Sequence, residues 1–131
     1  MKAMVLAAGR GSRLAPLTDH TPKPLLPVAG KPLILQTVER LKAAGISQIV
    51  INTHHLGGQI EAALGNGAEM GVSIQYSQET GLLETGGGIK KALPLLEDEV
   101  FVLCNGDIYS DFDLQTLPTS LTAGDLAHLV V

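Results

Sequence analysis

Glycines and cations lie close together in the loop that follows the first apolar segment of the chain. Gly9 and Gly11 flank Arg10, Arg13 follows, and Lys23 stands ten residues further on between prolines. Glycines let backbone N–H groups approach phosphate oxygens without an intervening side chain. Arginine adds a planar fork of donors, and lysine adds a compact charge on a long stem. The loop therefore predicts a phosphate site, with a tight turn carrying solvated cations as the alternative.

The distribution of charge favours a small anionic ligand. Residues 1–31 carry five of the nine basic side chains and one of the thirteen acidic ones, although the formal net charge of the chain is −4. Five of the seven prolines lie between positions 16 and 32, where they restrict the backbone around Lys23. A local positive field on an acidic protein suits a small anion. The acidic total argues against general nucleic-acid binding.

Two common phosphate-binding patterns do not fit this loop. The dinucleotide pattern G-x-G-x-x-G fails because Leu14 stands in place of the third glycine, and no Gly-Lys-Ser/Thr follows at P-loop spacing. A nicotinamide-binding oxidoreductase is further disfavoured because no suitable acid follows the motif at about 20 residues.

Five apolar runs predict the strands that would position the loop, at residues 3–8, 48–52, 72–76, 100–104 and 126–131. The first and fourth runs are almost wholly apolar, which is typical of strands covered on both faces. The last run ends the chain. Because domains usually end in polar residues, we expect the domain to be cut at its C-terminal side.

Apolar stripes at helical spacing lie between these runs. The first stripe predicts a helix that begins at Pro32 and ends before Gly45. A third helix is expected from Gly87 or Gly88 until Pro94 interrupts it. The members of the first two stripes are Ile34, Val38 and Leu41, and then Leu56, Ile60, Ala63 and Leu64. The alternation predicts an α/β fold, a Rossmann-like and mostly parallel sheet flanked by helices, with residues 1–131 in one nucleotide-binding domain.

Composition fits a cytoplasmic protein with a core of its own. Hydrophobic residues make up 45% of the 131 residues, and the single cysteine, Cys104, excludes an intrachain disulfide and fits a reducing compartment. No apolar run reaches membrane-spanning length, and the first residues lack the pattern of a secretion signal. We therefore expect no membrane partner.

Asp107 is the carboxylate best placed to hold a metal ion. It follows the fourth predicted strand, and Gly106 leaves space beside it. If this strand runs parallel to the first, Asp107 and the glycine loop open onto one crevice. Magnesium takes hard oxygen ligands, commonly one or two carboxylates with phosphate oxygens and water. The alternative is a simple turn, which an Asn-Gly-Asp sequence also suits.

The neighbouring residues His54 and His55 are a weaker metal candidate. Side chains at adjacent positions of an extended segment point apart, and no Cys or Asp completes a ligand set. A structural or surface role is favoured for both.

The stretch "LAAGRGSRLAPLTDHTPKPLLPVAGKPL" resembles the N-terminal signature of the sugar-1-phosphate nucleotidyltransferases, which runs L-A-A-G-x-G-x-R, then P-L-T, then P-K-P. Within that family, "ETGGGIKKALPLL" and "NGD" are most similar to N-acetylmuramate-1-phosphate uridylyltransferases of peptidoglycan recycling. Mannose-1-phosphate guanylyltransferases are similar enough to be the alternative.

The resemblance implies a magnesium-dependent enzyme with two substrates. It would transfer a nucleotidyl group from a nucleoside triphosphate to a sugar 1-phosphate, and pyrophosphate would leave. The resemblance indicates UTP as the triphosphate and N-acetylmuramate 1-phosphate as the sugar phosphate. A non-catalytic nucleotide-binding fragment is the rival hypothesis.

The resemblance also implies roles for the residues of the loop. Gly9, Gly11 and Ser12 would line the triphosphate with backbone N–H groups. Arg13 would neutralise the departing pyrophosphate, and Lys23 would contact phosphate oxygens near the reacting phosphorus.

Further roles fall on residues outside the loop. Asp107 matches the carboxylate that binds Mg²⁺, and Asn105 matches a position near the sugar phosphate. The positions that usually border the base and ribose are Ala8, Gln78, Thr85 and Gly86.

Two departures from the family pattern concern Glu84 and the length of the chain. Many relatives carry a small residue where this chain has Glu84. Family enzymes also continue beyond this length, and their later half supplies the rest of the sugar pocket and a second metal ligand. A sheet edge left open by that absent half would favour association between copies.

Overall fold

The computed structural model describes residues 1–131 as a four-stranded parallel sheet with helices on both faces. The strands are β1 (Lys2–Leu6), β4 (Gln48–Thr53), β5 (Ser73–Gln78) and β6 (Phe101–Asn105), and β2 (Pro27–Val28) and β3 (Lys31–Pro32) form a separate two-stranded hairpin. The sheet order is β5-β4-β1-β6, and every neighbouring pair is parallel. The predicted Rossmann-like α/β fold is therefore confirmed.

Two clusters of apolar side chains hold the helices against the sheet. Ala3 and Val5 of β1 point into the larger cluster, which contains side chains from α1 (Leu33–Ala43) and α2 (Gly57–Leu64). Met4 points the other way and packs with side chains of α3 (Glu84–Leu96). Because successive side chains of a strand alternate between faces, a strand buried on both faces must be apolar throughout, as predicted for β1.

The expectation that the fourth predicted strand is covered on both faces is wrong. This strand, β6, lies at the edge of the sheet and pairs only with β1. Its Leu103 side chain remains 43% exposed. An apolar run of five residues shows that a strand can be buried, but whether other elements cover both of its faces depends on the rest of the chain.

The fifth predicted strand, 126–131, is also wrong. These residues have no regular secondary structure, and the side chains of Leu126 and Leu129 are 97% and 78% exposed. A parallel strand beside β6 would need a crossover connection, usually helical. Only the short 3-10 helix Leu114–Thr116 lies between β6 and this run, so no such connection forms.

The helices begin and end close to the predicted positions, apart from α3. Helix α1 begins one residue after Pro32. Helix α3 begins at Glu84, earlier than predicted, and continues through Pro94. The glycines at its start are poor helix formers, so propensity placed the start too late. Pro94 lies in the last turn, where its ring removes the hydrogen bond that a residue at this position would donate to the Lys90 carbonyl. None of the helices combines the length and hydropathy needed to cross a bilayer.

Candidate functional site

A cavity of about 260 Å³ opens at the carboxyl ends of β1, β4 and β6. The chain moves from β1 to β4 on one side and later returns to β6 on the other, so the cavity lies at the point where strand order reverses. Ligands of open α/β sheets bind in this position. The predicted site residues in its lining are Ala8, Gly9, Gly11, Ser12, Arg13, Lys23, Thr85, Asn105 and Asp107.

The glycine loop is held by its own short-range bonds. Gly11 has φ of 63°, and its carbonyl accepts hydrogen bonds from the Thr18 hydroxyl at 2.8 Å and from Leu14 N at 2.9 Å. A Cβ atom at Gly11 would lie 3.0 Å from both Lys23 Cβ and Thr18 Cγ2. The left-handed backbone and the close approach together explain why glycine occupies this position.

Lys23 is held by buried prolines and aimed at Asp107. Pro22 and Pro24 are buried, and Lys23 begins a 3-10 helix between them. Its Nζ lies 2.6 Å from Asp107 Oδ2, and each side chain is 31% exposed. The predicted cation and the predicted metal ligand thus meet in the same cavity.

Gly106 positions Asp107 against the end of β1. The Gly106 N–H donates to Leu6 O at 2.9 Å, and a Cβ at Gly106 would lie 3.1 Å from that oxygen and from Val5 Cγ1. Because the backbone passes so close to β1, the next side chain, Asp107, emerges directly into the cavity.

Arg13 and Arg10 differ in their relation to the cavity. Arg13 lines it, and its side chain has no carboxylate within ion-pair distance. Arg10, three positions earlier, is exposed and lies outside the lining. The free positive charge at the cavity mouth therefore comes from Arg13.

Two predicted residues, Gln78 and Gly86, lie outside the cavity lining. The Gln78 amide donates to both carboxylate oxygens of Glu61, at 2.8 and 2.9 Å, and its backbone carbonyl accepts from Lys91. Gly86 is exposed in the first turn of α3.

Glu84, which the sequence marks as a departure from the family pattern, lines the cavity. Two further polar residues near the cavity were missed from the sequence. Asn52 lines it, and Glu79 lies behind it with only 5% of its surface exposed. Asn52 donates to Glu79 Oε1 at 2.8 Å. An asparagine at the end of the apolar run "QIVIN" is the one signal that could have found the first of them, because a buried polar side chain needs a partner.

The two histidines have structural partners, as their sequence context indicated. The rings of His54 and His55 contact Glu79 O at 2.9 Å and Thr18 O at 3.2 Å, respectively. Cys104 is half-buried in β6, where burial raises the pKa of its thiol and Arg40 partly opposes that effect. No group of three or more His, Cys, Asp or Glu side chains is arranged to hold a metal ion on its own.

The donor set nevertheless fits a magnesium ion bound together with phosphate. Asp107 offers a carboxylate at the cavity, and Asn105 lies on the same strand end. Magnesium in phosphate-handling sites is usually held by one or two carboxylates, with the substrate and water completing its shell. The cavity lining contains neither histidine nor cysteine. Its cations, Arg13 and Lys23, are suited to binding phosphate and neutralising its charge.

Comparison with known proteins gives concordant matches. A family model described as nucleotidyl transferase matches residues 2–126. The chain is 61% identical, over 86% of its length, to the N-acetylmuramate alpha-1-phosphate uridylyltransferase of Neisseria meningitidis serogroup B, of which it covers 49%. It is 40% identical, over 88% of its length, to the mannose-1-phosphate guanylyltransferase of Mycobacterium tuberculosis, of which it covers 32%.

A solved structure shares the fold at similar coverage. HddC from Yersinia pseudotuberculosis, crystallised with GMP-PN, superposes with a TM-score of 0.75 at 28% identity, over 86% of this chain and 50% of that one. The chain thus spans about half or less of the length of the proteins it matches.

Proposed function

The chain belongs to the nucleotidyl transferase family, and we propose that it forms the nucleotide-binding part of an enzyme that transfers the uridylyl group of UTP to N-acetylmuramate 1-phosphate. The observation that carries the proposal is the meeting of Lys23 and Asp107 in a cavity lined by the glycine loop. The 61% identity to an N-acetylmuramate alpha-1-phosphate uridylyltransferase supports the choice of base and sugar.

The reaction joins two anions and needs no covalent intermediate. An oxygen of the sugar phosphate attacks the α-phosphorus of UTP, the bond from that phosphorus to the bridging oxygen breaks, and pyrophosphate leaves. The attacking phosphate is already ionised, so a general base is dispensable. Positioning and charge neutralisation carry most of the catalysis of such transfers. This fits a cavity whose lining includes two cations, Arg13 and Lys23, and the glycine loop but no histidine.

The loop residues would hold the triphosphate. Gly9, Gly11 and Ser12 line the cavity, and their backbone N–H groups would donate to the triphosphate oxygens. Arg13 is unpaired at the cavity mouth, where it would neutralise the charge that collects on the departing pyrophosphate.

Lys23 and Asp107 are held in place before a ligand arrives. Their ion pair keeps the ammonium and the carboxylate in the cavity at a fixed separation. Asp107 is the residue that would hold Mg²⁺, and Lys23 would contact phosphate oxygens once nucleotide is present. When bound, the metal would supply further neutralisation of the phosphate charge.

Two observations define the alternatives. The 40% identity to a mannose-1-phosphate guanylyltransferase makes GTP with mannose 1-phosphate the second candidate pair. The chain covers 49% of its uridylyltransferase relative, so a nucleotide-binding role without turnover is the third. A nucleoside triphosphate substrate and a single unpaired cysteine favour a cytoplasmic setting for all three.

The test measures pyrophosphate release and nucleotide binding side by side. UTP and GTP are each combined with N-acetylmuramate, mannose or glucose 1-phosphate, with Mg²⁺ or with EDTA. We expect release only with UTP, N-acetylmuramate 1-phosphate and Mg²⁺. Calorimetric binding of UTP without release would support the non-catalytic role. Failure to bind either nucleotide would contradict every form of the proposal.

A further inference from the structure

A buried chain of hydrogen bonds links the two walls of the cavity. The Ala7 N–H donates to Asn52 Oδ1 at 2.8 Å, Asn52 Nδ2 donates to Glu79 Oε1 at 2.8 Å, and the Leu83 N–H donates to Glu79 Oε2 at 3.0 Å. Asn52 and Glu79 are only 2% and 5% exposed. We call this chain the Asn52–Glu79 relay.

The direction of the relay is fixed at both ends. Ala7 and Leu83 each contribute a backbone N–H, which can only donate. The Asn52 amide must therefore turn its oxygen to Ala7, which leaves its NH₂ group facing Glu79. A residue that meets donors on both sides must accept with both of its oxygens, and only a carboxylate does so. If residue 79 were glutamine, its NH₂ group would face either the Leu83 N–H or the Asn52 NH₂ group, and neither of these can accept. Rotating the Asn52 amide would remove the second conflict but would turn the Asn52 NH₂ group toward the Ala7 N–H, which also cannot accept.

The surrounding chain makes room for the relay. A Cβ atom at Gly88, in the second turn of α3, would lie 2.7 Å from Glu79 Oε1 and 2.8 Å from Asn52 Nδ2. The Glu79 backbone N–H also donates to Thr53 O at 2.8 Å, which continues the pairing of β5 with β4. A glycine in a helix lowers stability by about 1 kcal/mol relative to alanine, and here the space it leaves is occupied by the relay.

The relay joins two segments that both line the cavity. Ala7 precedes Ala8 and Gly9, and Leu83 precedes Glu84 and Thr85. Glu84 has φ of 57°. The chain therefore turns sharply into α3 directly after Leu83, the residue whose N–H is bound by Glu79. The carboxylate of Glu79 therefore sits where it fixes the start of α3 relative to the first strand.

We propose that Glu79 is a positioning residue that sets, through Asn52 and the Leu83 N–H, the separation of the two cavity walls that receive the nucleotide. This inference rests on the proposed function, since it assigns the nucleotide to the space between Ala8–Gly9 and Glu84–Thr85. Glu79 touches no substrate and acts only through the backbone it holds.

The test compares Glu79→Gln with Glu39→Gln by calorimetric titration with UTP and Mg²⁺. Glu39 also accepts through its carboxylate, from Lys31 Nζ at 2.7 Å, but it lies outside the cavity lining. We expect Glu79→Gln to weaken UTP binding about tenfold, because one donor of the relay would lose its acceptor and the α3 wall would be released. Glu39→Gln should change the dissociation constant less than about twofold.

Stoichiometry separates positioning from general destabilisation. A variant that only unfolds part of the protein lowers the number of UTP sites per chain and leaves the dissociation constant of the folded fraction unchanged. Full stoichiometry with weaker binding is the expected result for Glu79→Gln. An unchanged dissociation constant in that variant, with the wild type binding UTP, would overturn the inference and leave the proposed function standing. A wild type that binds neither UTP nor GTP would instead contradict the proposed function.

Amide hydrogen exchange provides a second measurement if Glu79→Gln does not fold. In the wild type, the Leu83 N–H should exchange far more slowly than the N–H groups of its exposed neighbours, and UTP should slow it further. Exchange of Leu83 at the rate of an unbonded surface amide would overturn the inference without any variant.

Discussion

Lys23 and Asp107 form an ion pair with 2.6 Å between Nζ and Oδ2, although 84 positions separate them in the sequence. Lys23 lies in the loop after β1, and Asp107 lies in the loop after β6. Because β1 and β6 are parallel neighbours, both loops leave the sheet at the same edge. Each side chain is about one-third exposed. Ion pairs of this kind contribute about 0–1 kcal/mol to stability, so the pair matters chiefly for the charge it places in the cavity.

The first prediction concerns Asp107→Asn. The substitution removes the carboxylate but keeps the shape, so the free energy of unfolding should fall by no more than about 1 kcal/mol. Metal-dependent pyrophosphate release should be abolished, because Asp107 is the carboxylate that would hold Mg²⁺. Urea denaturation and a pyrophosphate assay measure the two effects.

Glu39→Gln is the matched control for Asp107→Asn. Glu39 accepts from Lys31 at 2.7 Å in an ion pair that lies outside the cavity lining. Its loss should leave both stability and turnover nearly unchanged. Turnover in Asp107→Asn equal to that of Glu39→Gln would remove Asp107 from the mechanism.

The second prediction compares Arg13→Ala with Arg10→Ala. Both side chains are exposed and both changes remove one positive charge, but only Arg13 lines the cavity. Arg13→Ala should weaken triphosphate binding by about tenfold or more, as expected for the loss of a charge-assisted contact to phosphate. Arg10→Ala should have a small effect that disappears at high salt. Equal effects of the two substitutions, measured calorimetrically at two salt concentrations, would return Arg13 to the role of a surface cation.

The sheet could be predicted from the sequence because its central strands carry a local pattern. Ala3, Met4 and Val5 are apolar in sequence and buried on alternate faces in the structure. The run 126–131 has the same local pattern but no strand beside it, and it remains exposed. Apolar composition identifies a segment able to form a strand, whereas pairing depends on what the rest of the chain brings alongside.

The candidate site was predictable where its residues are contiguous in sequence. Gly9, Gly11, Ser12 and Arg13 form one loop, and the structure places them together in the cavity lining. The contact between Asn52 and Glu79 depends on the register of β4 with β5 and on the space beside Gly88. Neither is encoded by spacing along the chain. For the same reason Glu79, which binds the Leu83 N–H, was overlooked.

The third prediction compares Gly11→Ala with Gly58→Ala. Gly11 has φ of 63°, and a Cβ there would press against Lys23 and Thr18 at 3.0 Å. We expect Gly11→Ala to lower the free energy of unfolding by about 1–2 kcal/mol. Gly58 lies in α2 with no atom within 4 Å of an added Cβ, so Gly58→Ala should raise stability by roughly 0.5 kcal/mol. Urea denaturation decides the sign of each change, and a stabilised Gly11→Ala would contradict the left-handed turn.

The fourth prediction concerns the loss of stability at alkaline pH through Tyr76. Its hydroxyl donates to Gly65 O at 2.6 Å, and burial, with a smaller contribution from the charge of Glu61, raises its pKa from 10.0 to about 12. Below pH 10 the folded and unfolded states both keep the proton, so Tyr76 adds no pH dependence there. Between pH 10 and 12 the unfolded state loses the proton first, and the free energy of unfolding must therefore fall as pH rises.

Tyr76→Phe isolates this effect from the titration of lysines in the same range. The variant loses the hydrogen bond to Gly65 and should be slightly less stable at pH 9, by about 1 kcal/mol. It lacks the titrating hydroxyl, so its stability should decline less steeply from pH 10 to 11.5 than that of the wild type. Urea midpoints at these pH values give the comparison. Parallel declines in the two proteins would show that Tyr76 ionises equally readily in the folded and unfolded states, contrary to its partly buried position between α2 and β5.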